Sequence, residues 1–176
     1  MFVGGSCMDD AQFWKIINRA KSEADGNPQA IADEVHAQLS ERPGPEIASS
    51  GSILRGKLAA AYNWKLWGAA YLINGGCSDD GFEYFRGWLI TQGQKVYEAA
   101  LADPDTLAKV VDPENDQHEC EDILYAMRAY QEVTGHPLPS PTTAVQPVAP
   151  SGENWDFDDP AEATKRLPRL ARKYNE

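Results

Sequence analysis

At 176 residues, 42% of them apolar and five of them Trp, the chain is long enough to bury one core without disulfide or metal staples and too aromatic to stay unfolded. Its net charge of −11 sets the average surface against phosphate backbones, which disfavours general nucleic-acid binding. The three Cys, at 7, 77 and 120, form no CxxC pair, so a reducing cytoplasm is expected in place of a disulfide framework or zinc ribbon. No apolar run approaches the roughly 18 residues of a membrane span, and the first residues lack the basic flank of a signal peptide.

Residues 1–7 read as a loose extension, with Met8 a candidate for the true start, because Asp9 and Asp10 stand where the dipole of a following helix favours acids. Phe13, Ile17, Ala20 and Ala24, widened by Trp14 and Ile16, mark that first helix, and Asp25-Gly26 ends it. Asn27-Pro28 supplies a cap and a first-turn Pro for a second helix with Ile31, Val35 and Leu39 on one face. A third starts near Pro45 and carries Ile47, Leu54, Leu58 and Tyr62, with irregular early turns expected at Ser49-Ser50-Gly51. Trp64 to Ile73 is apolar on almost every side, the pattern of a helix running through the middle of a core, and Asn74-Gly75-Gly76 stops it.

Ser78 caps the next helix, whose stripe is Phe82, Phe85, Trp88 and Leu89 and whose end is Gly93. Val96, Tyr97 and Leu101 mark a short helix, and Asp103-Pro104 caps another with Leu107, Val110 and Val111. After a polar turn over 112–116, a last strong helix runs from Gln117 to Thr134, with Cys120, Ile123, Leu124, Met127, Tyr130 and Val133 on one face and Gly135 at its end. No strand and no repeat is expected. Five Pro between 137 and 150 predict an extended linker. Beyond it, Trp155, Phe157, Leu167, Leu170 and Tyr174 give apolar anchors, and Pro168 breaks or bends the helix opened by Asp159-Pro160. The whole reads as an all-α, compact multi-helix bundle of about seven to nine helices. It divides into an extension over 1–7, a helical domain over 8–136, a Pro-rich linker over 137–151 and a segment over 152–176 that docks on the domain.

The run Trp64-Lys-Leu-Trp-Gly-Ala-Ala-Tyr-Leu-Ile-Asn-Gly-Gly-Cys-Ser-Asp-Asp-Gly-Phe-Glu-Tyr-Phe-Arg-Gly-Trp-Leu-Ile-Thr-Gln-Gly93 resembles the signature of the DUF4240 family, an actinobacteria-rich family of unknown function. The resemblance extends from Met8 to about Gly135, and the final Arg-Leu-Pro-Arg-Leu-Ala-Arg-Lys-Tyr is similar to the C-terminal end of many members. It implies a bacterial protein with a shared fold and a shared site around this segment, and it implies no activity.

The sharpest candidate for chemistry is the turn Gly75-Gly-Cys-Ser-Asp-Asp-Gly81. Asp79, Asp80 and Glu83 share a helix face and are candidate ligands for a divalent metal, and Arg86, one turn on, is a candidate clamp for a substrate phosphate. Capping by Ser78, dipole complementation by the two Asp and an ordinary Glu83–Arg86 pair account for the same residues without a ligand. Cys77 is expected to pack and not to act as a nucleophile, since it has no His near it in sequence and acids beside it. His118, Glu119, Cys120, Glu121 and Asp122 read as a solvated helix start, and His36 and His136 as surface residues. The basic residues Lys165, Arg166, Arg169, Arg172 and Lys173 offer the one place for nucleic acid, although the Leu167, Leu170 and Tyr174 spacing favours docking on the acidic body. Two functions remain: binding of an unknown protein or small-molecule ligand near residues 74–86, or metal-dependent hydrolysis of a phosphodiester or nucleotide through Asp79, Asp80 and Glu83.

Overall fold

The structure is a computed structural model that describes residues 7–115, 118–140 and 147–175. Its helices begin where the caps lie. Asp9 accepts from Gln12 N while the Gln12 side chain accepts from Asp9 N, a reciprocal capping box that opens α1 (Asp10–Glu23). Asn27 caps α2 (Pro28–Ser40), and α3 (Gly44–Ala60) follows. The early turns of α3 are regular, contrary to expectation. The Ser49 hydroxyl donates back to Pro45 O at 2.8 Å and Ser50 to Ile47 O at 2.8 Å, so both hydroxyls are satisfied inside the helix.

Asn63 caps α4 (Trp64–Asn74), which a left-handed Gly75 (φ 66°) closes. Ser78 caps α5 (Asp79–Thr91), and α6 (Gln94–Ala102) leads to a 3-10 segment, Pro104–Lys109. The expected helix from Gln117 starts later. Position 117 lies outside the described residues, residues 118–120 have no helical structure, and the helix runs as α7 (Asp122–Tyr125), a 3-10 turn (Ala126–Arg128) and α8 (Ala129–Thr134). In the tail, Pro168 separates α9 (Pro160–Arg166) from α10 (Pro168–Asn175). The fold is all-α. Among the described residues the one extended pairing is an isolated bridge between Asn63 and Ser151, which ties the end of the linker to the start of α4.

The helix that runs through the middle is α5, not α4. Residues Phe85 to Thr91 are all buried, with α1, α2, α3, α6 and α7 packed around the helix. Gly87 explains how the 118–121 stretch comes so close. A Cβ there would lie 2.4 Å from Cys120 O, and with the notch empty Cys120 N donates to Tyr84 O at 2.9 Å. This approach pulls His118 into the core, 2% exposed and edge-on to Trp88 at 5.1 Å, where a solvated helix start was expected.

In α4, Trp64, Tyr71 and Leu72 are only half-buried. The tail covers that side. Trp155 sits on Gly68, where a Cβ would fall 2.0 Å from its ring, and Phe157 packs on Tyr71 at 5.4 Å. The tail's second anchor is polar: Asp105 accepts from the backbone N–H groups of Arg169 and Leu170, and Lys173 donates to Ala108 O and Val111 O. Residues 1–6 of the extension and 141–146 of the linker lie outside the described residues, and Met8 is buried in the core.

Candidate functional site

The four candidates on α5 point in three directions. Asp79 and Asp80 occupy the exposed first turn, as dipole complementation alone would place them. Glu83, half-buried, lines a cavity between α5, α3 and the 122–128 segment. Arg86 is 1% exposed and faces the core. Among the described residues no group of three or more His, Cys, Asp or Glu is arranged to hold a metal ion.

Arg86 is where the sequence reading needs correction, since a phosphate clamp has to reach solvent. The guanidinium lies 4.8 Å from the centre of the Tyr62 ring and 5.1 Å from that of Phe82, and donates to Leu58 O at 2.8 Å and to Phe82 O at 3.3 Å. Leu58 O is one of the last four carbonyls of α3, which have no partner within their own helix, so Arg86 caps α3 from α5 and brings a cation to its negative end. Burial lowers the Arg86 pKa, and the charge of Glu83 is the largest influence opposing that. No ion pair at contact distance joins the two.

Cys77 is half-buried beside the turn, with its carbonyl held by Trp67 Nε1 at 3.0 Å. Burial, followed by the charge of Glu119, pushes its thiol up to about 12, so it carries no thiolate at neutral pH. Of the histidines, His36 meets Glu132 at 2.8 Å on the surface and His136 is exposed. The basic tail is largely engaged within the chain: Arg166 with Glu153 and Glu162, Arg169 with Asp103 and Asp105, and Lys173 with carbonyls.

The cavity that Glu83 enters encloses about 270 Å³. On α3 its wall is Gly51, Leu54, Arg55 and Leu58, an i, i+3, i+4, i+7 stripe. Leu124 and Met127 form the opposite wall, and Leu138, from the start of the linker, covers it. Gly51 lets the facing side chains approach α3: a Cβ there would stand 3.3 Å from both Met127 Sδ and Leu138 Cδ2. Arg55 and Glu83 are the two charged residues of the lining, both half-buried, and neither makes a hydrogen bond or ion pair among the described residues. Leu54, Leu58, Leu124 and Met127 stand on the apolar stripes their spacing predicts, and Gly51 lies in the first half of α3 that the sequence marks as weak. Arg55 carries no signal in the sequence pattern.

The fold and this site define an all-helical domain with a cavity of aliphatic walls and two charged residues between three of its helical segments. The model of the family described as "Protein of unknown function (DUF4240)" matches residues 8–132, and the chain belongs to that family. That span contains every lining residue of the cavity except Leu138, and it excludes the tail. Comparisons with curated proteins and with solved structures found no match.

Proposed function

We propose that this protein acts by binding a small, largely apolar ligand in the cavity between α3, α5 and the 122–128 segment. The supporting observation is the composition of the lining: Leu54, Leu58, Leu124, Met127 and Leu138 surround the space, and two unpaired charges stand at it. Binding sites for small molecules have this mixture of apolar walls and a few polar groups, and about 270 Å³ falls just below their usual range. Glu83 belongs to the 74–86 segment, so this reading refines a binding role for that region. Phosphodiester hydrolysis draws no comparable support, because Asp79 and Asp80 face solvent, Glu83 faces the cavity and Arg86 is buried. We further propose a cytoplasmic setting. Among the described residues no helix is long and apolar enough to cross a membrane, and Cys77 and Cys120 are thiols.

A titration with isoamyl alcohol, a neutral branched probe, followed by amide chemical shifts, tests the binding role. Saturable shifts confined to residues around Leu54, Leu58, Leu124 and Met127, and lost in Leu124→Trp, are expected. A folded protein whose shifts never saturate, or saturate elsewhere, removes the reading.

A further inference from the structure

Resting on the binding role proposed above, we infer that the ligand is a small zwitterion with a branched or thioether apolar side chain, such as an apolar α-amino acid, held between Glu83 and Arg55. Three observations lead there. First, the cavity, about 270 Å³, has room for an amino-acid-sized molecule. Second, its walls are aliphatic and thioether, contributed by Leu54, Leu58, Leu124 and Met127, and they match an aliphatic side chain in shape and polarity. Third, the two charges are of opposite sign, come from different helices and leave each other unpaired.

The two unpaired charges decide the class of ligand. A half-buried charge gains most from a counter-ion that reaches it with good hydrogen-bond geometry. Here the Glu83 carboxylate accepts from no donor and the Arg55 guanidinium donates to no acceptor among the described residues. An ammonium satisfies Glu83 and a carboxylate satisfies Arg55, the latter by two parallel N–H···O bonds that Lys would not supply. A ligand with only one of these groups leaves the other protein charge without a hydrogen-bonded counter-ion. Buried Arg86 raises the positive potential near Glu83 but is already committed to Leu58 O and Phe82 O, so it does not replace the ligand's ammonium.

Calorimetric titration with L-leucine and three analogues tests this directly: isoamylamine lacks its carboxylate, 4-methylpentanoate lacks its ammonium, and isoamyl alcohol lacks both. L-Leucine is expected to bind about tenfold or more tightly than either singly charged analogue, the factor that about 1.4 kcal/mol of one added polar contact gives. Glu83→Gln should weaken L-leucine and the amine but not the acid, and Arg55→Gln should weaken L-leucine and the acid but not the amine. If all four bind alike, the zwitterion inference is overturned and the apolar cavity stands. If none binds to the folded protein, the cavity itself is not a ligand site and both proposals fall.

Discussion

The carboxylate of Asp105 serves as the N-terminal cap of a helix more than sixty residues away. It accepts from Arg169 N at 3.0 Å and Leu170 N at 2.9 Å, and the Arg169 side chain closes over it with Nε at 2.8 Å. Asp105 is 2% exposed, so these donors replace water around the charge. Replacing Asp105 by Ala removes a cap and a charge-assisted hydrogen bond together, and a loss of about 2–3 kcal/mol is expected. Urea denaturation measures the loss, and limited proteolysis after residue 136 reports whether the tail has come free. An unchanged cleavage rate in Asp105→Ala would show that the aromatic contacts hold the tail without this cap.

Those aromatic contacts are testable at Gly68. An Ala Cβ would lie 2.0 Å from the Trp155 ring, which cannot yield without leaving its seat on α4. Gly68→Ala should destabilise by about 1–3 kcal/mol, the range for overpacking a close contact, and should shift Trp emission to the red. In a Trp155→Ala background the same substitution should cost far less. Equal costs in the two backgrounds would place the clash somewhere other than Trp155.

The contact of the tail's Arg169 with Asp103, a latch between tail and body, also has a pH dependence with a definite sign. Partial burial works against ionising Asp103, but the hydrogen bond and charge of Lys65, with Arg169 beside it, outweigh that and hold its pKa below the ordinary carboxylate value. Stability from a depressed carboxylate is present above its unfolded value, about 3.9, and disappears as pH falls through the lower folded value. The stability difference between the native protein and Asp103→Asn should therefore be constant from neutrality to about pH 5 and shrink below about pH 4. Parallel curves down to pH 3 would mean that Asp103 is not part of the latch energetics.

Burial raises two thiols. Cys77 is pushed up to about 12 by burial and then by Glu119, and Cys120 up to about 11 chiefly by burial, whereas Cys7 is exposed. Iodoacetamide at pH 8 should modify Cys7 first, half-buried Cys77 slowly because its raised pKa leaves little thiolate, and buried Cys120 only as fast as the protein opens. Raised acids stabilise fully below their unfolded value, near 8.5, and that contribution falls as pH rises towards 11 and 12. Stability should accordingly decline above about pH 8.5, less steeply in Cys77→Ala. Alkylation of Cys77 at the rate of Cys7 would contradict its burial.

Most helix starts were legible because capping is local: Asp9, Asn27, Ser78 and Asp159 each meet a backbone N–H within three residues. The interior was less so. An apolar run marked α4 as the central helix, yet α5, with Arg86, Gly87 and Thr91 in it, is the one surrounded, because a notch at Gly87 admits the Cys120 backbone from residues far along the chain. The cavity was hidden for a similar reason. Its walls meet only where Met127 and Leu138 come to lie against Gly51, and neither spacing nor composition records such a meeting.

Arg86 separates a structural role from a functional one most clearly. A guanidinium that binds an external anion tolerates removal, because its site exists to be empty between ligands. A guanidinium stacked on Tyr62 and Phe82 and donating to Leu58 O does not. Arg86→Ala leaves a cavity and an unpartnered carbonyl at the end of α3, and a cost of about 3–5 kcal/mol is expected from the two together. Arg86→Lys should recover little of it, since an ammonium lacks the planar face and the fork that reach both rings and both carbonyls. Because Leu58 lines the cavity and Arg86 holds its carbonyl, Arg86→Lys should also weaken isoamyl alcohol binding wherever the variant remains folded. Native-like stability in Arg86→Ala, measured by thermal and urea unfolding, would return Arg86 to the surface role that its sequence position suggested.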